Sequence, residues 1–420
     1  MALGIGLARR GGYIHMPVLF AAVYAGWVVP QLWSLVVRRV APEGALAALL
    51  FMSLLCLAAV ILGWRMGTRR TVNPLAGLLP RVHEGKVGKA AVILTGFALI
   101  GFLGLGADPI EAQGSTMWTG HAAIFSLILS IKTASFALSL MYFLRRKTGL
   151  STALLVINVV MFAPYIIFYF RRHVILEACL IAAYAFLVVR SYAVPRVAVI
   201  AGLMVTSMGM FAAEEIRGIS GEGQVPRLSE IAEIDFLALN PINNPQASPE
   251  IENAANLVSA VQISDRYTLG GQFWNRFVFQ YVPAQFVGAD VKQGLMLTPW
   301  PAELTYSVTG YVPSAGSTQT GIATAFMEFW YFGCLLFYFN AYIMGRLWLR
   351  ALAGNSWDKV WYAAGIVPSL HMVTHHSAVF YVSFSFFVAI LTFVAYFLRG
   401  NLRANNPGGL RSAGLPAPKA

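Results

Sequence analysis

Arginine suits a protein that must hold a phosphate, because its planar guanidinium meets phosphate oxygens two at a time and stays charged at any physiological pH. Arg171 and Arg172, followed by His173, open an apolar run. Glu177 lies one helical turn beyond His173 on the same face, placed to orient that group or balance its charge. Arg266 and Arg276 stand further on among aromatic residues. Taken as chemistry, these four arginines make a clamp for a diphosphate. Taken as structure, they are interfacial side chains whose heads reach to lipid headgroups, or ordinary surface arginines. Glu328 sits inside an apolar run, where acids are rare and mark function, although pairing with Lys132, also inside a run, would serve a purely structural end. His371, His375 and His376 close another run. The first two, four residues apart, could share a metal, but the sequence offers no third ligand. Hydrogen bonding to a substrate, acid–base help or interfacial packing are the remaining roles for them. Neither a metal nor a cofactor is expected.

Composition sets the frame that must position these groups. Of the 420 residues 58% are apolar and only 11% charged, unlike a soluble domain. A helix that crosses a bilayer needs about 20 apolar residues, and no alternating ten-residue pattern suggests a barrel. Ten spans fit: 13–37, 44–64, 89–107, 119–143, 151–170, 174–190, 196–213, 320–345, 359–377 and 379–398. With the N-terminus inside, the turns on its side gather 20 of the 30 Lys and Arg, which satisfies the positive-inside rule. The net charge of +12 therefore reads as a topology signal, not as a nucleic-acid surface. Cys56, Cys179 and Cys334 all lie in apolar runs, so neither a disulfide framework nor a zinc site is supported. Arg9 and Arg10 precede a long apolar run without a small-residue cleavage site, which predicts a retained first helix.

The expected organisation is a bundle of about seven helices over 1–213, a large outer segment over 214–319, three more spans over 320–398, and a disordered inner tail over 399–420 rich in Gly, Pro and Ala. No internal repeat supports an inverted-repeat transporter. The outer segment holds 11 of the 18 carboxylates, Glu214, Glu215, Glu222, Glu230, Glu233 and Asp235 among them. Within it Ser248, Pro249 and Glu250 spell a helix start, followed by apolar positions at Ile251, Ala255, Val258 and Val261. The stretch Gly270 to Val287, with Phe273, Trp274, Phe277, Phe279, Tyr281 and Phe286, is aromatic enough to dock on the membrane surface or the bundle. Helices joined by long loops in such a segment predict a lid over a cavity.

Several segments, read together, resemble a family. Phe170-Arg171-Arg172-His173-Val174-Ile175-Leu176 opens a span on arginine, and Thr320-Gly321 precedes Glu328-Phe329-Trp330-Tyr331-Phe332-Gly333. Between them come Tyr267-Thr268-Leu269-Gly270 and Val282-Pro283. In this order the chain is similar to the Wzy-type O-antigen polymerases, the oligosaccharide repeat-unit polymerases. It departs from them at Pro283-Ala284-Gln285, where the family pattern has Pro-Arg; Lys292 is the nearest substitute for that cation. The resemblance implies an all-α polytopic membrane enzyme resembling the GT-C-like architecture of glycosyltransferases that use lipid-linked donors. It further implies a bacterial inner membrane location, cytoplasmic termini, a periplasmic large loop and inverting glycosyl transfer. The donor would be a glycan on undecaprenyl pyrophosphate and the acceptor a sugar hydroxyl of a second lipid-linked unit. Arg171, Arg172, Arg266 and Arg276 would clamp the pyrophosphate, and Glu328, His371 or His375 would orient or deprotonate the acceptor. Lipid-linked oligosaccharides, membrane lipids, a chain-length regulator and a flippase are the implied partners; nucleic acid is not.

Other readings share parts of this pattern. A ligase passing the finished glycan to another acceptor would use the same donor and clamp. A transferase using a lipid monophosphate sugar would want paired acids in an early outer loop, where Asp108 and Glu111 are the candidates. A secondary transporter or flippase would scatter charges through several spans, and here the spans hold few.

Overall fold

The structure is a computed structural model that describes residues 11–39, 41–69, 79–106, 121–167, 171–202, 249–313 and 317–403. Expectations for Arg9 and Arg10, Asp108 and Glu111, most of 196–213, the acids of 214–248, Ser248 and the tail beyond Arg403 lie outside the described residues. The first half of the chain forms helices α1 (Met16–Arg38), α2 (Glu43–Gly67), α3 (Val87–Gly106), α4 (His121–Leu129), α5 (Lys132–Arg145), α6 (Gly149–Ile167) and α7 (Arg172–Arg190). The outer segment adds α8 (Pro249–Ser264), α9 (Gly271–Tyr281) and α10 (Pro301–Thr309). The chain then continues through α11 (Gly321–Phe329), α12 (Cys334–Ala353), α13 (Ser356–Thr374) and α14 (Val379–Arg403). Among the described residues 8 helical stretches are long and apolar enough to cross a membrane, so the chain is an all-helical, multi-pass membrane protein.

Two of the ten expected spans are not among those eight. The first, 196–213, is described only to residue 202. The other, 359–377, is α13, which is buried along nearly its whole length and carries Asp358, Lys359, Ser369 and His371. A helix wrapped by protein rather than lipid can hold polar groups that its neighbours satisfy. The eighth expected span is also not one continuous helix. Trp330 adopts φ 52°, and a 3-10 turn over Trp330–Gly333 separates α11 from α12. A side chain on Gly333 would lie 2.0 Å from the carbonyl oxygen of Ala325. Eight residues of straight helix rise about 12 Å, so the chain must fold back here. Helix α11 is thus a short re-entrant element, viable because Gly321 to Glu328 are all buried in protein.

Close approach and buried hydrogen bonds take the place of a hydrophobic drive between helices that already lie in lipid. Along the α2–α12 seam, a Cβ on Gly63 would sit 2.1 Å from the Tyr338 carbonyl oxygen and one on Gly67 2.4 Å from that of Tyr342, so only glycine lets these backbones meet. Helices α3, α5 and α6 share a buried cluster in which Asn158 donates to Thr95 and Ser139 at 3.1 Å each, and Thr95 meets Ser135 at 3.0 Å.

The described part of the outer segment packs into the bundle. Ile251, Ala255, Val258 and Val261 are buried, as their spacing predicts. Yet Asn253 and Ser259 are buried too, because α8 is packed into the bundle against α2, α10 and α11. Asn253 donates to Ser317 Oγ at 2.6 Å and to the Thr318 carbonyl at 3.1 Å, and accepts from Tyr311 at 2.9 Å. These bonds tie α8 to the chain entering α11.

The two ends of the bundle differ in kind. At one end Arg350 donates to Asp358 at 2.5 Å, Arg81 lies 3.3 Å from the same carboxylate, and Glu84 pairs with Arg145 and accepts from Ser356. Helix α13 runs about 28 Å from there to the other end, where Thr318 Oγ1 donates to the Thr374 carbonyl and the Ser377 amide donates to Thr324 Oγ1. Removing one partner of a buried ion pair strands the other charge, at about 3–5 kcal/mol. Asp358→Ala is therefore expected to lower the thermal unfolding temperature of the purified protein in detergent by many degrees and to cut its yield. An unfolding temperature unchanged from the parent would show that the pair does not hold this end together.

Candidate functional site

At the second end α7, α9 and α13 bring together most of the groups singled out by their chemistry. His173, in the first turn of α7, places its ring 5.6 Å from that of His371, and His371 lies 4.6 Å from His375 one turn later on α13. His173 and His375 are exposed and His371 is half-buried, so the three rings line an accessible surface rather than a sealed core. Thr374 Oγ1 lies 2.7 Å from Nδ1 of His375, a hydrogen bond whose direction follows the imidazole tautomer. The described residues contain no set of three or more His, Cys, Asp or Glu arranged to hold a metal ion.

Beside them His376 is buried, at 3% exposure. Its Nδ1 accepts a hydrogen bond from the Ala378 amide at 3.0 Å. A nitrogen that accepts in a neutral imidazole carries no proton, so the proton sits on Nε2. That Nε2 is buried and has no hydrogen-bond partner among the described residues. Arg276, from α9, lies within electrostatic reach of both His375 and His376, and its own Nε is likewise buried and unpartnered among the described residues. Its guanidinium rests 4.9 Å over the Trp300 ring. Burial lowers Arg276 to about 10, which leaves it charged at neutral pH. A permanent cation and a neutral imidazole, within electrostatic reach of one another, thus each hold a buried N–H group without an acceptor among the described residues. Each such orphan costs about 1–3 kcal/mol unless something accepts from it. The arrangement suits an anion with several oxygens.

Helix α9 is held in place from beneath by Glu328. Its Oε2 accepts from Thr268 Oγ1 at 2.9 Å and from the Gly270 amide at 2.6 Å, with the amides of Gln272 and Phe273 also acting on the carboxylate. The backbone joins in: Thr268 N–H donates to the Met327 carbonyl and Leu269 N–H to that of Glu328, both at 3.0 Å. The first turn of a helix presents amides without intrahelical acceptors and a positive dipole end, and a buried carboxylate answers both. Glu328 therefore holds the start of the helix that carries Arg276, three residues beyond Phe273. The pairing of Glu328 with Lys132 does not form. Lys132 has Glu177 as its acid neighbour, Thr133 donating to that carboxylate, and its ammonium lies 4.3 Å over the Tyr165 ring and 5.0 Å over that of Phe162.

Of the four arginines of the expected clamp, the side chains of Arg171, Arg266 and Arg276 are among the described residues. Arg276 faces the histidines. Arg171 caps α7 two residues before His173, near Lys132 and 5.8 Å over Tyr165, on the same rim. Arg172 begins α7, and its side chain lies outside the described residues. Arg266 is exposed in the turn after α8 and forms no hydrogen bond or ion pair among the described residues. Lys292 donates to the Phe279 carbonyl at 2.9 Å and lies 5.2 Å from the Phe279 ring, so it braces α9. His376 shares with His371 and His375 the roles the sequence offers, substrate hydrogen bonding, acid–base help or packing. The signal was present in three histidines within six residues, but its fixed tautomer depends on a backbone amide that no spacing reveals.

Compared with known proteins, the chain matches no family model, no curated protein and no solved structure.

If Glu328 anchors α9, Glu328→Ala leaves buried donors unsatisfied at about 1–3 kcal/mol, or roughly ten-fold per 1.4 kcal/mol in local opening. Hydrogen exchange of peptides covering Gly270 to Phe273 is expected to speed up by about ten-fold or more, with Glu328→Gln closer to the parent. Unchanged protection in the alanine variant would remove Glu328 from this role.

Proposed function

We propose that the chain is a membrane-embedded glycosyltransferase of the repeat-unit polymerase kind, which moves a glycan from a polyprenyl diphosphate onto a sugar hydroxyl of a second lipid-linked unit. The observation that carries this reading is the pair of buried, unpartnered N–H donors on Arg276 and His376, at the end of the bundle opposite the basic ion network. With that basic end in the cytoplasm, as its charge suggests, the donor pair faces the outside of the inner membrane, where exported lipid-linked sugars are found.

The chemistry fits the residues. When the acceptor oxygen attacks the anomeric carbon from the face opposite the diphosphate, one carbon–oxygen bond forms as the bond to the phosphate oxygen breaks. Negative charge grows on the departing diphosphate, and positive charge spreads over the sugar ring. Preorganised donors that need no reorganisation stabilise the first of these. Arg276 and His376 supply donors for that task, and Arg171, at the start of α7, is a further cation, followed in the sequence by Arg172. The acceptor hydroxyl must lose a proton. One of the paired histidines, His375 or His371, whose rings lie 4.6 Å apart, takes it. Glu328, whose carboxylate is taken up by α9, positions Arg276 instead of touching the acceptor. Membrane lipids surround the enzyme, and a chain-length regulator and a flippase are the protein partners this reading implies.

Loss of one preorganised donor costs about 10²–10³ in rate. In a strain lacking the native gene, Arg276→Ala and His376→Ala are expected to leave single repeat units on the lipid carrier and no polymer ladder, at normal membrane levels of the protein. Arg276→Lys, which keeps the charge without the fork, restores only part of the polymer. A normal chain-length distribution with Arg276→Ala would contradict the clamp. Accumulation of long lipid-linked chains in the deletion strain would make the enzyme a ligase.

A further inference from the structure

Helix α9 carries more than its arginine. Trp274, Phe277 and Tyr281 recur at the spacing that puts side chains on one face of a helix. Their rings follow one another, Trp274 to Phe277 at 6.2 Å, Phe277 to Tyr281 at 4.8 Å, and Tyr281 to Phe386 at 6.4 Å. Phe386 belongs to α14, one of the membrane-crossing helices, so the row passes without a break from the outer segment onto a span. Trp274 and Phe277 remain 43% and 44% exposed. Nor are these rings loose. The Trp274 indole donates to the Leu295 carbonyl at 2.7 Å, and the Tyr281 hydroxyl donates to that of Val382 at 2.5 Å. The first and third rings of the row are tied by their polar ends, which makes a rigid apolar shelf.

The opposite side of α9, Gln272, Asn275 and Val278, is buried, and Arg276 lies between that side and the shelf. One short helix therefore offers a cation beside unpartnered donors and, a fraction of a turn away, an ordered aromatic row leading into the membrane. A ligand that used both would have an anionic head and a long apolar tail joined directly to it. Bulk phospholipid needs no ordered path and no link to the donor pair, and a second copy of the chain would leave the anion corner unfilled.

We propose that the row Trp274–Phe277–Tyr281–Phe386 is the seat of the polyprenyl chain of the diphosphate lipid, guiding its tail down α14 while its head enters the Arg276–His376 corner. This rests on the reading of that corner as a diphosphate site. It assigns chain-length selectivity to the helix that also carries the diphosphate-binding arginine.

The test is binding to the full-length protein in nanodiscs, with undecaprenyl diphosphate and the short-chain geranyl diphosphate as probes. Phe277→Ser and the Trp274→Ser, Phe277→Ser double variant are expected to weaken the long-chain probe by about ten-fold or more, in line with lost apolar contact, and to leave the short one within about two-fold. Phe277 makes no polar bond, so its single variant reads the shelf without disturbing the Leu295 tie. Arg276→Ala is expected to weaken both probes. Equal loss of both probes in the aromatic variants would overturn the proposal, since the rings would then act only by holding Arg276. Unchanged long-chain binding would overturn it too, assigning the shelf to bulk lipid or to another copy of the chain. Undiminished binding of both probes by Arg276→Ala would fail the diphosphate reading itself, and the tail path with it.

Discussion

A buried N–H group without an acceptor works against folding, because the water it gave up is not replaced. Native chains keep few of them, and of those among the described residues two belong to groups within electrostatic reach of each other, Arg276 and His376. In this chain the two belong to groups that cannot relieve themselves. The Arg276 guanidinium holds its protons at any relevant pH, and the His376 ring is locked as an Nε2 donor by the Ala378 amide. Much of the surrounding structure can be understood as keeping these groups where they are.

That support has three parts. Glu328 binds the first turn of α9 and so fixes the helix that carries Arg276. The re-entrant α11 presents Glu328 from inside the protein, where its carboxylate meets amides instead of lipid. Its start is pressed against the end of α13 so closely that a Cβ on Gly321 would overlap the Met372 carbonyl oxygen at 1.6 Å. Finally α13, buried in protein along nearly its whole length, carries His371 and leads to His375 and His376 at the end opposite the Arg350–Asp358 network. An ion network locks one end of α13, and the other is left with polar groups whose partners are incomplete. Such a gradient is what a membrane enzyme requires if its reaction takes place at one face.

Some of this was legible in the sequence and some was not, for physical reasons. Arg276, His371 and His375 stood out as polar groups in aromatic or apolar company, and the fold does bring them together. The helix after Pro249 was visible from its start and its apolar spacing. The re-entrant break was hidden because Trp330, Tyr331, Phe332 and Gly333 are as apolar as the helices they separate, so hydropathy runs through the turn without a dip. Glu328 was conspicuous, but its partners Thr268 and Gly270 lie some sixty residues upstream and one of them is a backbone amide. Lys132 found Glu177, already noted for its place near His173, and not Glu328. Charge rarity marks a residue without naming what it meets.

The most direct test is an experimental structure of the protein in nanodiscs with undecaprenyl diphosphate bound. Diphosphate oxygens within about 3 Å of both Arg276 Nε and His376 Nε2 are the predicted result, the reach of a charge-assisted hydrogen bond. Diphosphate bound elsewhere, with those two nitrogens satisfied by a carboxylate of the chain itself, would contradict the account.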